Sequence, residues 1–404
     1  MTCVVVTGMG CISALGRTCD EFARNLLQGR NGVGPITAFD TSGFHVQIAA
    51  EVSGYRSDDH FPVECSGQMD RFAQFAVLSA REAMRDAGFD RAVPAGERVA
   101  VIHGTGVGGQ STLDEGYRLF YATEARRLPP LSVPKLMPAA AACHISMDLG
   151  VTGPVFSVTS ACASAAHAIA TAAMMLRAGL ADVALTGGAE ACITPGSLRA
   201  WEGLRVMAKD ACRPFSKGRG GMVLGEGAAS LVLETLDHAR ARGARIHAEL
   251  AGIGMSSDAH SLIQPHVGGI TAAIRAALAD AAVDADAVDY INAHGTATAQ
   301  NDPAESQAIH EVFGARGRTV PVSSSKSMIG HTLGAAAALE AIATIVAIRE
   351  QTAPPTIGFR APDPRCDVDC VPNAARPVPI DVALSHSFAF GGLNVVLALR
   401  RFTS

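Results

Sequence analysis

The chain has 404 residues, 48% of them apolar, 18% charged and only 5% aromatic, with a formal net charge of −5. That length exceeds the ~250–300 residues at which one hydrophobic core stops growing, so two fused core-forming halves are expected. The composition excludes a disordered chain, and the weakly acidic balance gives nucleic acid or an anionic membrane no global charge to bind.

Ten scattered cysteines form no CxxC pair and no zinc-type spacing, so a reduced, cytoplasmic protein without a metal site is expected. The opening MTCVVVTGMG lacks a basic stretch and runs into Gly8 and Gly10, which reads as a buried strand and turn rather than a signal peptide. The most apolar helical stretch, Ala163 to Leu176, contains His167 and is too short to span a bilayer, so no membrane insertion is expected.

In chain order, short apolar runs at Cys3–Val6, Val99–Ile102, Val183–Leu185, Ala229–Leu233, Val288–Ile291, Val382–Leu384 and Val395–Leu399 read as buried strands. Helical periodicity lies between several of them, at Arg71–Ala87, Ser164–Leu176, Gly269–Ala282, Asp302–Phe313 and Ala335–Arg349. This alternation implies an α/β protein with helices on sheet faces. The best seam is Thr235–Arg245, where a charged helix ends at Gly243 before a strand that begins at Ile246, giving expected halves 1–245 and 246–404. Thr352–Pro379 carries Pro354, Pro355, Pro362, Pro364 and Pro372 and is expected to be an irregular surface connection.

Three segments carry the chemistry. In Phe156–Ile169, Cys162 stands between a β-rich run and an Ala-rich helix, where the positive end of the helix favours thiolate over thiol. In Asn292–Thr298, His294 leaves a strand for a small polar loop that contains Thr296 and Thr298. In Ser323–His331, Lys326 precedes His331 by five residues, and the following helix carries Glu340 among apolar neighbours. Taken singly, Cys162 also fits a small buried hydrophobe, the histidines fit loop residues, Lys326 a surface charge and Glu340 a helix-face carboxylate. Gly104, Gly106 and Gly109 match GxGxxG, but the acid at a suitable distance, Glu124, follows no second strand, so no nucleotide is expected there.

Across nearly the whole chain, the ordered motifs Val5–Gly10, Gly104–Gly109, Ser160-Ala-Cys162, Gly187-Gly-Ala-Glu190, Arg213-Pro-Phe215, Gly225-Glu-Gly227, Asn292–Thr298, Lys326–His331 and Phe388–Asn394 resemble the elongating β-ketoacyl synthases of the thiolase superfamily. The resemblance implies a five-layered αβαβα fold, two similar halves with mixed sheets around buried helices, with the nucleophile in the first half and the histidines in the second. It further implies decarboxylating condensation of a Cys162-bound acyl chain with a malonyl thioester. His294 and His331 then hold the malonyl thioester and stabilise the enolate, while Lys326 and Glu340 polarise His331. The Cys-His-His set is similar to elongating rather than initiating synthases, whose third member is usually asparagine.

By the same resemblance, the N–H groups of Cys162 and Phe390 form an oxyanion hole. Phe388, Phe390 and Gly391 belong to a gating loop, in which Gly391 and Gly392 permit close approach and Ala389 replaces a common glycine. Thr296 and Thr298 contact the malonyl carboxylate or the pantetheine arm, and Val107 limits the acyl pocket. No cofactor is implied, because decarboxylation itself supplies the carbanion. The implied partner is an acyl carrier protein docked on Arg126 and Arg127, with Arg205, Lys209 and Arg213 as weaker candidates. The implied assembly is a homodimer, or a heterodimer with a related subunit. The stretch after Phe61 lacks the basic residues common in fatty-acid members, and Thr298–Asp302 departs from their usual pattern, which points to a specialised polyene, polyketide or lipid pathway. A non-catalytic chain-length-factor-like subunit is the alternative, though such subunits usually lose the cysteine. A degradative thiolase would need a second cysteine near Phe388–Asn394, where there is none.

Overall fold

The structure is a computed structural model and describes residues 2–89, 98–123 and 127–403; Glu124 and Arg126 therefore lie outside the described residues. Ten strands build its large sheet: β1 (Val4–Ser13), β2 (Val99–Gly104), β3 (Val155–Val158), β4 (Val183–Glu190), β5 (Gly227–Thr235), β6 (Ala248–Ser257), β7 (Tyr290–Asn292), β8 (Val322–Ser323), β9 (Val382–Ala389) and β10 (Leu393–Arg400). Their spatial order is β8-β7-β9-β10-β6-β1-β5-β4-β2-β3.

Outward from the middle, the order repeats. β1-β5-β4-β2-β3 and β6-β10-β9-β7-β8 each run antiparallel, antiparallel, parallel, parallel. Among the described residues, the two half-sheets pair through Val5–Glu249 and Val6–Ala248. The chain is thus two similar α/β halves of mixed sheet.

The helices that matter here are α1 (Arg71–Asp86), α2 (Ser164–Arg177), α3 (Pro195–Gly203), α4 (Val267–Asp280), α5 (Asn301–Phe313) and α6 (Ala336–Glu350). Asp70 caps α1 by accepting from the Phe72 N–H at 3.2 Å, and the stripe Phe72, Phe75, Ala76, Ala80 and Ala83 is buried against the first half-sheet. Helix and strand backbones touch directly: a Cβ on Gly8 or Gly10 of β1 would lie 2.1 Å from the carbonyl oxygen of Ala83 or Ser79. The second half repeats the device, since a Cβ on Gly254 of β6 would lie 2.0 Å from the Ala273 carbonyl oxygen of α4. Between the half-sheets lie α2 and α6, and every residue of α6 from Ala336 to Ile348 is buried. A helix apolar on all sides needs cover on all sides, and the middle of five layers supplies it.

The expected strands and helices are present, with ends shifted by a few residues. Val288–Ile291 is displaced to Tyr290–Asn292 because a 3₁₀ turn, Ala285–Ala287, comes first. Helices Cys19–Leu27, Gln110–Thr123 and Ala140–Leu149 were not legible; Gln110–Thr123 buries only Gly116, so it carries no apolar stripe. The proline-rich segment is mostly irregular, as expected, but it is not simply a surface connection: Thr356, Cys366, Cys370 and Val371 are buried. Among the described residues, no helix is long and apolar enough to cross a membrane.

The chemistry-bearing segments all leave strand ends on this frame. Cys162 follows β3, His294 follows β7, Lys326 follows β8, and Phe388 stands at the end of β9, before the turn 390–392 that joins it to β10. Because α4 lies directly on β6, Gly254→Ala should lower the unfolding free energy by about 1–3 kcal/mol. Urea denaturation would measure it, and a neutral substitution would mean that the helix can lift without loss.

Candidate active site

Cys162 is presented by a tight turn. Ala161 has φ +50°, and the Ser164 hydroxyl secures the turn by donating to the Ala161 carbonyl at 2.6 Å and accepting from the Ser160 N–H at 2.9 Å. The helix-end argument predicts a lowered thiol pKa, but the structure reverses the direction. Cys162 is only 7% exposed, and burial pushes its thiol up to about 12, with the Lys326 ammonium as the chief opposing influence. A sulfur so buried needs a direct partner. His331 supplies it, with Nε2 3.0 Å from Sγ.

The ring of His331 is fixed from behind. Its backbone pairs with the Val223–Gly225 segment, His331 N–H donating to the Val223 carbonyl at 2.7 Å and the His331 carbonyl accepting from Gly225 N–H at 2.9 Å. The Leu333 N–H donates to Nδ1 at 3.3 Å, so Nδ1 is an acceptor and the ring proton sits on Nε2, facing the sulfur. His294 reaches the same state by another route. Its own N–H and that of Gly295 both donate to the Glu305 carboxylate at 2.8 Å, which anchors the loop after β7. The Lys326 ammonium then donates to His294 Nδ1 at 3.3 Å, leaving the proton on Nε2. Burial lowers both imidazoles well below their ordinary pKa, with Lys326 adding to the effect, so both rings are neutral Nε2–H donors. Their centroids lie 5.5 Å apart at 83°.

Lys326 and Glu340 form an ion pair with both side chains 0% exposed. Lys326 acts on His331 through its charge alone: the lysine's hydrogen bond goes to His294, and His331 takes its Nδ1 partner from the Leu333 backbone. Thr296 and Thr298 hydroxyls lie 3.0 Å apart on the wall of a cavity of about 330 Å³ that Cys162, both histidines and Phe390 also line. Phe388 packs edge-on against His294 at 6.1 Å. Gly391 and Gly392 have φ +83° and +69°. Only Gly392 also answers to close approach, since its Cβ would lie 2.4 Å from that of Asp258; the nearest side chain to a Cβ on Gly391 is at 3.7 Å, so there the dihedral is the reason.

Other expectations fall away from this centre. Val107 does not line the cavity of the single chain, and the residue is 47% exposed. Arg127 and Lys209 are exposed, Arg205 lines the cavity wall, and Arg126 lies outside the described residues. Arg213 is nearly buried and clamps Asp210 at 2.7 Å, which removes it from any docking patch.

Two carboxylates that sequence reasoning left without a role organise the backbone. Glu305 is described above. Glu190 accepts from Gly106 N–H at 2.7 Å, Val107 N–H at 3.3 Å, Gly334 N–H at 2.9 Å and the Thr105 hydroxyl at 2.9 Å. The donors of the Gly104–Gly109 loop that a phosphate would need are thus taken by the chain's own carboxylate. The only sequence signal was the acid at the end of Gly187-Gly-Ala-Glu190. Among the described residues, no group of three or more His, Cys, Asp or Glu side chains could hold a metal ion.

The chain matches two family models, described as "Beta-ketoacyl synthase, N-terminal domain" over residues 1–239 and "Beta-ketoacyl synthase, C-terminal domain" over residues 247–360. It is 48% identical to Nodulation protein E of Rhizobium sp. (strain N33), covering 98% of this chain and 99% of that protein. It is 41% identical to 3-oxoacyl-[acyl-carrier-protein] synthase 2 of Coxiella burnetii (strain RSA 493 / Nine Mile phase I), covering 98% of each. Among solved structures, it is similar to the ishigamide ketosynthase/chain length factor, with TM-score 0.94, 38% identity and full coverage of both chains.

The lowered imidazole pKa values have a stability consequence of fixed sign. A folded-state histidine held below its unfolded value of about 6.5 contributes fully above that pH and loses its contribution as pH falls below it. The difference in unfolding free energy between the wild type and His331→Asn should therefore shrink from pH 7.5 to pH 5. A difference that grows on acidification would mean that His331 is protonated in the folded protein.

Proposed function

Because the chain belongs to the β-ketoacyl synthase family, we propose that Cys162 carries the acyl chain while His294 and His331 together hold the enolate left when malonyl thioester loses CO2. The enzyme condenses an acyl chain with malonyl-acyl carrier protein to give β-ketoacyl-acyl carrier protein, in fatty-acid or polyketide synthesis. One observation carries the residue assignment. Two neutral imidazoles, each with its Nδ1 occupied and its proton on Nε2, line the cavity that holds Cys162, and His331 reaches the sulfur itself.

In the first half-reaction, Sγ attacks the acyl thioester and the carrier's pantetheine thiol departs with the proton that Sγ gives up. The backbone N–H groups of Cys162 and Phe390 receive the oxyanion. In the second, the C–CO2 bond breaks and the electron pair moves onto the malonyl thioester oxygen, which accepts from the two Nε2–H groups. Neutral donors suit this task, because the enolate needs hydrogen bonds without being protonated outright. The enolate carbon then attacks the acyl carbonyl, and Cys162 leaves as a thiolate that accepts from His331. Thr296 and Thr298 bind the malonyl carboxylate or the pantetheine arm, with Phe390, Gly391 and Phe388 forming the gate. Lys326 and Glu340 act by orienting His294.

The partner is an acyl carrier protein that docks on Arg127 and Arg126, and the assembly is a dimer, either of two copies or with a related subunit. Val107 would act only across that dimer contact. The seam between the halves falls at 245/246, in the connection between the helix Leu236–Ala241 and β6. Ten unpaired cysteines support a reducing cytoplasmic setting. Higher identity to Nodulation protein E than to the Coxiella synthase supports a specialised pathway. The intact Cys-His-His-Lys set speaks against a non-catalytic partner subunit.

Intact-protein mass spectrometry after incubation with acyl carrier substrates tests the assignment. Cys162→Ala should form no acyl adduct. His294→Ala should cut condensation by about 10²–10³-fold with self-acylation little changed, whereas His331→Ala should lower both half-reactions, because the sulfur loses its Nε2–H partner. Equal effects of the two histidine variants on self-acylation would overturn this division of roles.

A further inference from the structure

The chain's single tryptophan, Trp201, stacks on Phe390 with ring centroids 6.1 Å apart and planes at 28°. Both rings line the cavity that holds Cys162. The two sides of this contact differ in how they are held.

Trp201 stands on a fixed platform. Its helix α3 starts with Thr194 accepting from the Ser197 N–H at 3.3 Å and with a proline in the first turn, and it buries Leu198 completely. The next residue after the indole, Glu202, accepts from the N–H groups of His45 and Val46 at 2.6 and 2.8 Å. On the other flank, Arg199 lies over the Phe44 ring at 4.0 Å and donates to the Gly43 carbonyl at 2.6 Å. Phe390, by contrast, sits in the turn between β9 and β10, followed by Gly391 and Gly392, both in left-handed conformations. That turn is tied to the exposed loop after β6 by two backbone bonds, Gly391 N–H to the Leu262 carbonyl at 2.7 Å and Asp258 N–H to the Gly392 carbonyl at 2.9 Å. One ring is anchored, and the other rides on a glycine hinge.

We propose that Trp201 is the positioning residue against which Phe390 closes, so that this aromatic contact keeps the gate shut over Cys162 until the sulfur is acylated. The proposal rests on the reading of Phe390 as the gate. Its chemical value lies in what it prevents. A malonyl thioester that reaches the two imidazoles before an acyl chain is in place loses CO2 and takes up a proton, giving an acetyl thioester and no carbon–carbon bond. A gate latched in the unacylated state keeps the extender out until there is an acceptor for its carbanion.

The tryptophan also reports on its own contact, because no other indole contributes to the emission. Phe390→Ala should shift the emission to the red by opening the indole face to water, and acylation of Cys162 in the wild type should shift it in the same direction. Trp201→Ala should raise acetyl-carrier formation from malonyl carrier alone by roughly two- to tenfold, the range a stacked pair commands, and Trp201→Phe should restore it. Intact mass run in parallel separates the two levels of the argument. An adduct on Cys162 with unchanged emission, or unprimed decarboxylation that stays at the wild-type rate in Trp201→Ala, would overturn the latch alone. Absence of any adduct would overturn the role of Cys162, and the latch with it. If Trp201→Ala does not fold, the emission of Phe390→Ala and of the acyl-enzyme decides the matter.

Discussion

The geometry of the site hangs on one interaction, the ion pair of Lys326 and Glu340 in the middle layer of the fold. Neither side chain touches solvent, and burial pushes the Glu340 carboxyl up to about 7 against the pull of the ammonium. A buried pair of this kind adds little net stability, because desolvation consumes what the attraction returns. What it supplies is direction: the ammonium is held where its second hydrogen bond must fall on His294 Nδ1. Without that bond the ring could take either tautomer. With it, the Nε2–H faces the cavity.

The duplication of the fold explains why such a pair is available. The nucleophile leaves the outermost strand of the first half-sheet, β3, and Lys326 leaves the equivalent outermost strand of the second, β8; the two helices that follow, α2 and α6, share the central layer. From Ala336 to Ile348, helix α6 is apolar except at Glu340 and Thr344, so the carboxylate stands among apolar neighbours in the buried central layer. The same close approach of the halves leaves no room for side chains where the loops cross. A Cβ on Gly334 would lie 2.1 Å from Gly106 N and 2.6 Å from the Glu190 carboxylate. Glu190 thereby joins the glycine-rich loop of the first half to the turn that carries His331 in the second.

How much of this was legible in the sequence differed with the range of the physics involved. The stripe of α1 and the uniformly apolar α6 follow from local periodicity, and both formed where expected. Cys162, His294, His331 and Lys326 were legible through motif resemblance, and the structure brings them within contact of one another in a chain. The partner of each histidine was not. Which atom fills Nδ1 depends on the Leu333 turn in one case and on an ammonium 32 residues from His294 in the other, and no local pattern encodes either. Glu190 and Glu305 were silent because each gathers backbone N–H groups from distant loops, and every residue but proline carries such a group. Val107 was placed in the pocket by resemblance alone, and the single chain leaves its side chain outside.

The reversal at Cys162 shows where sequence reasoning stopped. A helix end acts through a partial charge that can be read from the position of Cys162 before α2, and it favours the thiolate by a modest amount. Desolvation depends on what closes over the sulfur, here the Ala-rich start of α2, the turn at His331 and the gate, and none of these is local to Cys162. This non-local effect turns the thiol toward its protonated form. This suits a nucleophile that must wait. The hydrogen bond from His331 becomes most valuable at the moments when negative charge reaches the sulfur, on attack and on release. Burial and His331 therefore do not oppose each other: one sets the resting state, and the other lowers the energy of the states that the reaction must pass through.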